Sequence, residues 1–567
     1  MADDSIVPII SSSDDDALSN IVVENLSCFK ICYNLFPKDY EFHKDEIVQL
    51  WLVHRFPESE MEETANVMFE TFIEVGIFQN TGFDQSTGRP RYKLNNSFSV
   101  DFLEDQDTFV RFSDDISENT IHCSLGNAFT FEELYVAESL QTLLILHNTT
   151  RCFLNEVPRE LFLKLPLLKA LDLSHTNITE LPSSIGNLKD LGYLNLSGTP
   201  ITSLPNSICF LYQLQTLKLR GCVKLLGLPK DMRKLTNLHH LDVDVACLLL
   251  WIPPSLGDLT SLRTLPAFVV GKGNGCRITE LKQMAMLSGD LDILRLENVS
   301  SSDEAKEAAL DQKMLINKLT LQWTELQDGF ILLKTLQPHK NLEELEIVGY
   351  GGVKFPTWIG NPIFSSLSVL NLHDCARCKV LPPLGKLPLL RCLSVSGMRS
   401  VKRITGEFCG SKKVGGPLKF LSLKKVTRPS RSDNKFTSFP QLRNLTLHRM
   451  QMLEKWTGVE QGHFPSLLQL TISGCPKLTA LPSVSFMKSL QQLEISLCPL
   501  IESFPKKGLP TSLQCLVIVD CPLLKKQCHK KNGRESGMLA HICSAWIDYE
   551  QLPNLKSEQV SLSDSII

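Results

Sequence analysis

The stretch LKALDLSHTNITELPSSIGNL (168–188) and its neighbour LGYLNLSGTPITSLPNSICFL (191–211) decide the fold of this chain. Both contain L-x-x-L-x-L at a period of 20–29 residues, which is the signature of leucine-rich repeats. Along L-x-L, successive side chains of a short strand point to opposite sides, so the leucines face inward and the x residues face outward. One repeat cannot bury its leucines, but a stack of repeats buries a continuous apolar interior.

The same pattern recurs almost to the end of the chain. The first Leu or Ile of each unit falls at positions 140, 168, 191, 214, 238, 262, 291, 316, 342, 367, 390, 418, 442, 467, 490 and 513. Of the 93 leucines, 85 follow residue 130, so the leucine enrichment belongs to the repeats. We therefore predict an α/β leucine-rich-repeat solenoid, a horseshoe, over residues 140–549. Each fully buried leucine stabilises it by roughly 1.5–3 kcal/mol.

A cysteine follows the strand pattern in several repeats, always three residues after a Leu or Ile. The members of this set are Cys222, Cys375, Cys475, Cys498 and Cys521, and Thr176 and Thr199 take the same place in two further repeats. A position shared by repeats is not a pairing scheme, so we predict reduced side chains that cap backbone groups inside the solenoid. The chain shows no nucleophile–base arrangement and no metal-ligand spacing, which predicts neither an enzyme nor a metal site.

Charge divides the chain into two parts. The net charge of −4 combines −16 over residues 1–130 with +12 over the remainder. Contacts with nucleic-acid phosphates need basic residues, and the first part of the chain is strongly acidic. Nucleic acid is therefore not an expected partner. The N-terminus lacks a secretory signal, and the apolar run Val245–Ile252 is far too short to cross a membrane. We expect a cytoplasmic protein, with the nucleus or a membrane surface as alternatives.

The acidic part has the order of a small, mainly α winged-helix domain. Apolar periodicity predicts helices over 19–34, 44–54 and 61–77, and a Gly-rich turn separates two predicted strands over 78–94. The predicted division is 1–17 disordered and acidic, 18–96 winged helix, 97–139 linker and N-terminal cap, 140–549 repeats, and 550–567 flexible tail. Within the repeats, residues 297–316 read as a helix with Ser301 and Glu304 as its capping box.

The outward x positions form a mixed polar surface. An extended repeat face of this kind binds proteins. The candidates for partner binding are Tyr193, Lys218, Arg220, His239, His240, Asp242, Glu343, Glu344, Glu346, His373, Arg391, Arg443 and His448.

The segment CFKICYNLFPKDYEFHKDEIVQLWL (28–52) resembles the winged helix of plant intracellular disease-resistance receptors, the coiled-coil NB-ARC leucine-rich-repeat (NLR) class. The matching residues are Cys28, Phe29, Cys32, Phe36, Pro37, Asp39, Tyr40, Leu50 and Trp51. The resemblance continues through SLGDLTSLRTLPAFVVGKGNG (255–275), LENVSSSDEAKEAAL (296–310) and the end of the repeats, CPLLKKQC…AHICSAWIDY (521–549).

This resemblance implies a defence receptor whose repeats recognise a pathogen effector or a guarded host protein. It also implies an autoinhibitory contact between the winged helix and the early repeats. The receptors carry a phosphate-binding Gly-x-x-x-x-Gly-Lys-Ser/Thr loop and a Met-His-Asp triplet whose His contacts ADP. This sequence has no such loop, and Leu94, Asn95 and Asn96 stand at the triplet. We therefore expect no ATP or ADP site, as in an N-terminally truncated receptor or an incomplete gene model.

Two alternatives remain open at this point. The chain could be a leucine-rich-repeat substrate-recruiting subunit of a ubiquitin ligase, with residues 20–56 binding an adaptor, or a truncated decoy that does not signal. The charge division adds a hypothesis about the contact inside the chain, in which the acidic part docks on basic residues of the early repeats. Those residues are Lys218, Arg220, Lys224, Lys230, Arg233 and Lys234.

Overall fold

The structure is a computed structural model that forms two compact units, Met1–Pro266 and Ala267–Ile567. It describes residues 26–55, 61–84, 88–95, 108–111, 116–126, 129–146, 154–244, 253–272, 276–324, 330–410, 437–529, 534–539 and 541–552. The predicted disordered N-terminus, the repeat at 418 and most of the predicted C-terminal tail lie outside these residues.

The first unit opens with three helices and a hairpin, which is the predicted winged-helix order. The elements are α1 (Leu26–Leu35), α2 (Lys44–Arg55), α3 (Met61–Glu74), β1 (Phe78–Phe83) and β2 (Pro90–Leu94), with β1 and β2 antiparallel. Aromatic side chains fill the space between them. Trp51 lies 5.7 Å from Phe72 and Phe69 lies 4.9 Å from Phe78, measured between ring centroids. The apolar periodicity that predicts the helices is therefore the periodicity of this core.

The start of α2 shows how local sequence sets a helix boundary. Asp45 and Glu46 lie in its first turn, where negative charge is favoured by the helix dipole. The backbone N–H of His43 donates to Glu46 Oε2 at 3.1 Å, which satisfies a donor that the helix leaves unpaired. The observed helix begins at Lys44, as predicted.

The same unit continues into a seven-stranded parallel sheet whose strands follow chain order. The strands are β3 (Phe109–Arg111), β4 (His122–Leu125), β5 (Thr142–Ile145), β6 (Ala170–Asp172), β7 (Tyr193–Asn195), β8 (Thr216–Leu219) and β9 (His240–Val243), with α4 (Leu161–Lys164) after β5. Two of these strands, β3 and β4, fall in the segment predicted as linker and cap. They extend the parallel sheet upstream of the first L-x-x-L-x-L unit, because β4 pairs with β5 in register.

The second unit contains a twelve-stranded sheet, parallel except at its last strand. Its strands are β10 (Ala267–Val269), β11 (Gly289–Leu294), β12 (Ile316–Gln322), β13 (Glu344–Val348), β14 (Val369–His373), β15 (Cys392–Ser396), β17 (Asn444–His448), β19 (Gln469–Ser473), β20 (Gln492–Ser496), β21 (Cys515–Val519), β22 (Ser544–Ile547) and β23 (Glu550–Gln551). A separate parallel pair is formed by β16 (Arg403–Ile404) and β18 (Lys455–Trp456). The helices are α5 (Ser302–Glu307), α6 (Phe330–Thr335), α7 (Pro522–Cys528) and α8 (Arg534–Leu539).

Short 3₁₀ helices connect most of the strands. They span Phe131–Val136, Ser183–Asn187, Asn206–Phe210, Met232–Lys234, Leu256–Asp258, Ile278–Gln283, Leu296–Asn298, Leu310–Gln312, Thr357–Gly360, Leu384–Lys386 and Val484–Phe486. The leucines of L-x-L are buried as predicted, for example Leu194 in β7 and Leu445 and Leu447 in β17, all with no exposed surface. The α/β leucine-rich-repeat solenoid with a preceding winged helix is confirmed.

The residues after the strands cap the interior backbone as predicted. Thr176 Oγ1 donates to the carbonyl of Leu173 at 2.8 Å, and Cys222 Sγ donates to the carbonyl of Leu196 at 3.1 Å. Cys498 Sγ donates to the carbonyl of Ser496 at 3.2 Å in the second unit. The Cys222 and Cys498 thiols are buried and form no disulfide, and the same holds for Cys375, Cys475 and Cys521 at this position of the repeat.

Two local predictions differ from the structure. The helix predicted over 297–316 is wrong in length, because only Ser302–Glu307 is α-helical and Ala309 adopts a left-handed φ of +50°. Its cap is correct at Ser301, which accepts from the backbone N–H of Glu304 at 3.1 Å. The predicted tail begins at 550, yet Glu550–Gln551 form β23 and pair with β22.

Candidate protein-binding surfaces

The winged helix covers the outward side of the first repeat strands. Leu144 of β5, Ala170 of β6 and Tyr193 of β7 belong to one continuous apolar cluster with the cores of α1, α2 and α3. Every residue of β5, β6, β7 and β8 is buried, the outward ones included. The winged helix packs on the outward side of β5–β9 and also contacts Arg263. We call this packing the closed contact.

The tightest approach in the closed contact is between α2 and the residue before β7. A Cβ atom placed on Gly192 would lie 2.6 Å from Val53 Cγ1, closer than real Cβ contacts come. A side chain at 192 would require Val53 or α2 to shift. Glycine at this position therefore allows the close approach of α2, where other repeats carry a side chain.

One acidic side chain of α3 forms the charged centre of the closed contact. Glu62 Oε2 accepts from Arg263 Nη1 at 2.9 Å and lies 3.6 Å from His240 Nε2. Burial alone would raise the pKa of Glu62, but His240 and Arg263 outweigh burial and lower it. The pKa of the adjacent His239 falls to about 4, because it is removed from water and faces His240 and Arg263. Both shifts favour a charged glutamate and a neutral His239 at neutral pH.

A second polar chain crosses from α2 to β4 and β5. The Oγ1 atom of Thr142 lies 2.8 Å from His54 Nε2 and 2.8 Å from His122 Nδ1. The two imidazole rings are 5.2 Å apart, and Phe109 stacks on His122 at 4.6 Å. Burial, with smaller contributions from His122 and Lys169, lowers the pKa of His54 to about 3. The closed contact therefore contains a neutral, desolvated histidine from the winged helix.

The repeat side of the contact supplies a buried carboxyl group beside Tyr193. Asp172 accepts from the backbone N–H of Ser174 at 2.8 Å and from Asn195 Nδ2 at 2.8 Å. Burial raises the pKa of Asp172 despite these bonds. Lys218 Nζ lies 5.7 Å from the centroid of the Tyr193 ring, within the range of a cation–π interaction.

Three of the predicted partner-binding residues are not open to a partner in this structure. Tyr193, Lys218 and His240 are 2%, 6% and 4% exposed, because the winged helix covers their side of the sheet. His239 is half-buried in the same cluster. A partner could therefore reach these three side chains only after the winged helix has been displaced from the strands.

Two of the basic residues named in the docking hypothesis pair within the repeats. Arg220 Nε pairs with Asp242 Oδ1 at 3.2 Å, and Lys234 Nζ pairs with Asp231 Oδ2 at 2.6 Å. Arg263, which was not among the residues of that hypothesis, forms an ion pair with Glu62 of the acidic domain. The available signal was its position directly after Leu262, where an outward residue of the next repeat is expected.

The remaining candidates lie on the second unit, where the outward side of the strands alternates with a buried inward side. In the twelve-stranded sheet, all seven strands from β13 to β21 show this alternation. We call the outward side of these seven strands, β13, β14, β15, β17, β19, β20 and β21, the open face. Glu343, Arg391 and Arg443 beside it are exposed, and Glu344, Glu346, His373 and His448 on it are partly buried by their strand neighbours.

Weak polar contacts link neighbours along the open face. Glu344 Oε1 pairs with Lys318 Nζ at 3.0 Å, and Glu346 Oε1 lies 3.9 Å from His373 Nε2. His373 Nδ1 lies 3.0 Å from Ser396 Oγ. Such exposed pairs contribute about 0–1 kcal/mol each, so these side chains can exchange partners when a ligand arrives.

The residues at the family's Met-His-Asp position have structural contacts. Leu94 is buried in the winged-helix core, and Asn95 Nδ2 donates to the carbonyl of Gly76 at 2.9 Å. Asn96 lies outside the described residues. Asn95 therefore closes the hairpin against the end of α3.

Within the described ranges there is no cluster of metal-ligating side chains, and no helix there is long and apolar enough to span a membrane.

Four family models match the chain. Residues 35–98 match the disease resistance protein winged helix domain, and residues 138–201 match a general leucine rich repeat. Residues 278–398 match the R13L1/DRL21 leucine-rich repeats, and residues 341–499 match the leucine-rich repeats of plant disease resistance protein RPS2-like sequences. Winged-helix and leucine-rich-repeat domains are typically non-catalytic.

Whole-chain relatives give the same result. Protein At3g14460 of Arabidopsis thaliana is 30% identical over 84% of this chain and 34% of its own length. RGA4 of Solanum bulbocastanum is 32% identical over 81% of this chain and 43% of its own, and RGA2 of the same species is 29% identical over 80% and 44%. All three are named as disease resistance proteins, and the chain spans less than half the length of each.

A solved leucine-rich-repeat protein of Leptospira interrogans is 21% identical, with a TM-score of 0.42 over 69% of this chain and 86% of that one. The repeats are identified by their parallel strands and by the cysteines and threonines that cap the interior backbone. By its winged-helix domain, its repeats and its relatives, the chain belongs with the plant disease-resistance proteins of the NLR type.

Proposed function

We propose that the protein acts in plant innate immunity as an intracellular, cytoplasmic recognition protein. Its repeats bind a protein ligand, either a pathogen effector or a host protein that the receptor guards, and the chain performs no chemistry on it. The observation that carries this proposal is the joint match of the winged helix and of two repeat segments to disease-resistance families. The resistance names of the relatives support it.

The open face is the ligand-binding surface in this proposal. Its outward row runs Glu346, Asn371, Ser394, Thr446 and Thr471, each aligned with the next by strand register. Amide and hydroxyl side chains of this kind both donate and accept hydrogen bonds, and exposed arginines border the row. A surface with these properties suits the backbone and polar side chains of a protein, since protein interfaces carry about one hydrogen bond per 100–200 Å².

The closed contact is the autoinhibitory element in this proposal. It hides outward strand positions that repeats otherwise present, and it holds α2 and α3 by an ion pair and a histidine–threonine chain. A partner that competes for Glu62 or Tyr193 must separate the winged helix from the sheet first. The contact would therefore report ligand binding as a change in the position of the winged helix.

Gene disruption in the source plant tests the defence role. We expect the disrupted line to lose resistance to at least one pathogen isolate, and the full chain reintroduced under its own promoter to restore it. A matched line receives the chain with Leu447→Ala, which removes a fully buried strand leucine and should destabilise the repeats by about 2–5 kcal/mol. Unchanged resistance across an isolate panel would contradict the proposal.

A charge-reversal pair tests the closed contact. Glu62→Lys places a cation against Arg263, whereas Glu63→Lys makes the same change on the neighbouring, exposed residue of α3. We expect Glu62→Lys to speed hydrogen exchange in β7–β9 and Glu63→Lys to leave it unchanged. The double variant Glu62→Lys with Arg263→Glu should restore protection. Equal exchange in both single variants would show that the ion pair does not hold the winged helix.

A further inference from the structure

Outward apolar side chains lie next to one another on the last two repeat strands, whereas β13 and β14 carry one outward valine each, Val348 and Val369. Val517 and Val519 of β21 alternate with buried Leu516 and Ile518, so both valines face outward. Trp546 of β22 is aligned with Val517 and is 37% exposed. The equivalent outward residues of β17 and β19 are Asn, Thr, His, Gln and Ser. An apolar surface here has no role in the solenoid interior, because the inward positions are already filled.

Two exposed apolar residues beside this surface have a left-handed backbone, a conformation that is unfavourable for residues with a side chain. Leu497 has a φ of +53° and is 52% exposed, and Tyr549 has a φ of +69° and is 81% exposed. The residue in the same place is Gly397 after β15 and Gly474 after β19, and it is Asp374, Arg449 and Asp520 after β14, β17 and β21, all with positive φ. The left-handed conformation therefore belongs to the repeat, and the exposed Leu497 side chain contributes nothing to the core.

These residues lie close together by register and hydrogen bonding. The backbone N–H of Leu497 donates to the carbonyl of Val519 at 2.9 Å. Trp546 Nε1 donates to Ser544 Oγ at 2.8 Å, which fixes the indole against its own strand. We call Leu497, Val517, Val519, Trp546 and Tyr549 the C-terminal apolar face.

Acidic side chains border this face. Glu494 of β20 is aligned with Val517, and the exposed Asp520 and Glu550 follow β21 and β22. Asp548 is neutralised by Lys525 Nζ at 2.6 Å. The border therefore carries a net negative charge, which opposes anionic membranes and nucleic acid and favours a cationic partner.

We propose that the C-terminal apolar face binds a protein segment that presents large apolar side chains flanked by Lys or Arg. The indole and Leu497 contact the apolar side chains, and Glu494 pairs with a flanking cation. Exposed tryptophan and tyrosine beside smaller apolar residues are the composition of interface hot spots. This inference rests on the proposed function, since it names the ligand chemistry for one part of the repeats.

The occupant could in principle come from this chain itself. Residues 553–567 follow β23 directly, but their charged residues are Lys556, Glu558 and Asp564. Their acidic balance disfavours binding beside Glu494, Asp520 and Glu550. A second copy of the chain is the other internal candidate, and both are outcomes of the test below.

Two labelled peptides, Ac-KLFLK-NH₂ and Ac-ELFLE-NH₂, serve as probes for fluorescence-anisotropy titration of the full chain. We expect the basic peptide to bind at least tenfold more tightly than the acidic one. Trp546→Ala should weaken the basic peptide at least tenfold, and Glu494→Gln should reduce the discrimination between the two peptides. Thr446→Ala, on the polar outward row of β17, should change neither affinity.

Leu497→Gly keeps the test independent of folding. It introduces the residue found at positions 397 and 474, so we expect an unchanged or higher Tm together with several-fold weaker binding of the basic peptide. No binding of the basic peptide at millimolar concentration, or equal binding by wild type and Trp546→Ala, would overturn the proposal.

If the face is occupied by residues 553–567 or by a second copy of the chain, the experiments give other results. Basic-peptide binding that appears only after deletion of residues 553–567 would assign the face to the chain's own tail and overturn the proposal as stated. Loss of a dimer in light scattering of Trp546→Ala would assign it to a second copy and overturn it too. The outcome is separable from the defence role, because gene disruption reads resistance whichever peptide binds.

Discussion

The repeat strands of the two units share the same interior and differ on the outside. In β7 and β17, the leucines of L-x-L are fully buried. The residue before the first leucine is Tyr193 in β7, buried under the winged helix, and Asn444 in β17, which is exposed. The inward residues therefore build the solenoid, and the outward residues decide what covers it.

This difference separates two uses of one scaffold. The closed contact combines apolar packing with an ion pair, two lowered histidine pKa values and a glycine at a close approach. The open face has mainly polar outward side chains on β15, β17, β19 and β20 and only weak pairs along it. A permanent contact between domains is stabilised by buried area and by desolvated polar groups. A surface that accepts ligands keeps its hydrogen-bonding groups hydrated.

The largest expected effect compares the two residues that precede the first strand leucine. Tyr193→Ala removes a buried ring from the closed contact and should lower the free energy of unfolding of the first unit by about 3–5 kcal/mol. Asn444→Ala, at the exposed equivalent, should change it by less than about 0.5 kcal/mol. Urea unfolding followed by tryptophan fluorescence measures both. Similar losses in the two variants would mean that outward positions do not distinguish the units.

Acidification is the next test. The pKa of His54 is about 3 and that of His239 about 4, both below the usual 6.5, so the folded protein binds fewer protons than the unfolded chain between these values. Stability must then fall as pH drops below about 6.5, by about 2 kcal/mol per imidazole at pH 5. Hydrogen exchange of α2 and β5–β9 at pH 7 and pH 5 should show the closed contact opening.

A histidine variant identifies the source of this pH dependence. His54→Gln keeps a hydrogen-bonding group near Thr142 but cannot titrate. We expect it to remove about half of the stability loss between pH 7 and pH 5. His448→Gln, on the open face, is the matched control and should leave the loss unchanged. A pH profile that His54→Gln does not alter would place the titration elsewhere.

A steric test probes the close approach of α2. Gly192→Ala adds a methyl group 2.6 Å from Val53 Cγ1 and should cost about 1–3 kcal/mol through displacement of α2. Gly537→Ala in α8 meets no atom within 4 Å and should be neutral or slightly stabilising. The pair Gly192→Ala with Val53→Ala should recover part of the loss, which thermal melting can measure.

The smallest expected effect concerns the arginines. Arg263→Ala breaks a partly buried ion pair with Glu62 and should cost about 1 kcal/mol, whereas exposed Arg443→Ala should cost nothing measurable. A double-mutant cycle with Glu62→Ala isolates the pair. The loss from Arg263→Ala should shrink in high salt, because partial exposure leaves the pair open to screening.

The sequence predicts best those features in which one residue type recurs for one physical reason. The first leucine of each unit, the capping cysteines and threonines, and the helix at Lys44 are set by contacts between adjacent repeats or within one turn. The prediction was wrong at 297–316, where the capping box does start a helix but the chain leaves it before the left-handed Ala309. Glu62, Arg263 and Gly192 were also missed, because each is defined by a neighbour far away in the chain.

The sequence by itself determined the inward half of this protein. A period of L-x-x-L-x-L admits few folds, since only stacked short strands bury every leucine at once. The tertiary structure alone decided the outward half. The surfaces that lie over the strands decide whether Tyr193 contacts water or α2 and whether the indole of Trp546 is exposed. The repeat pattern does not specify those surfaces.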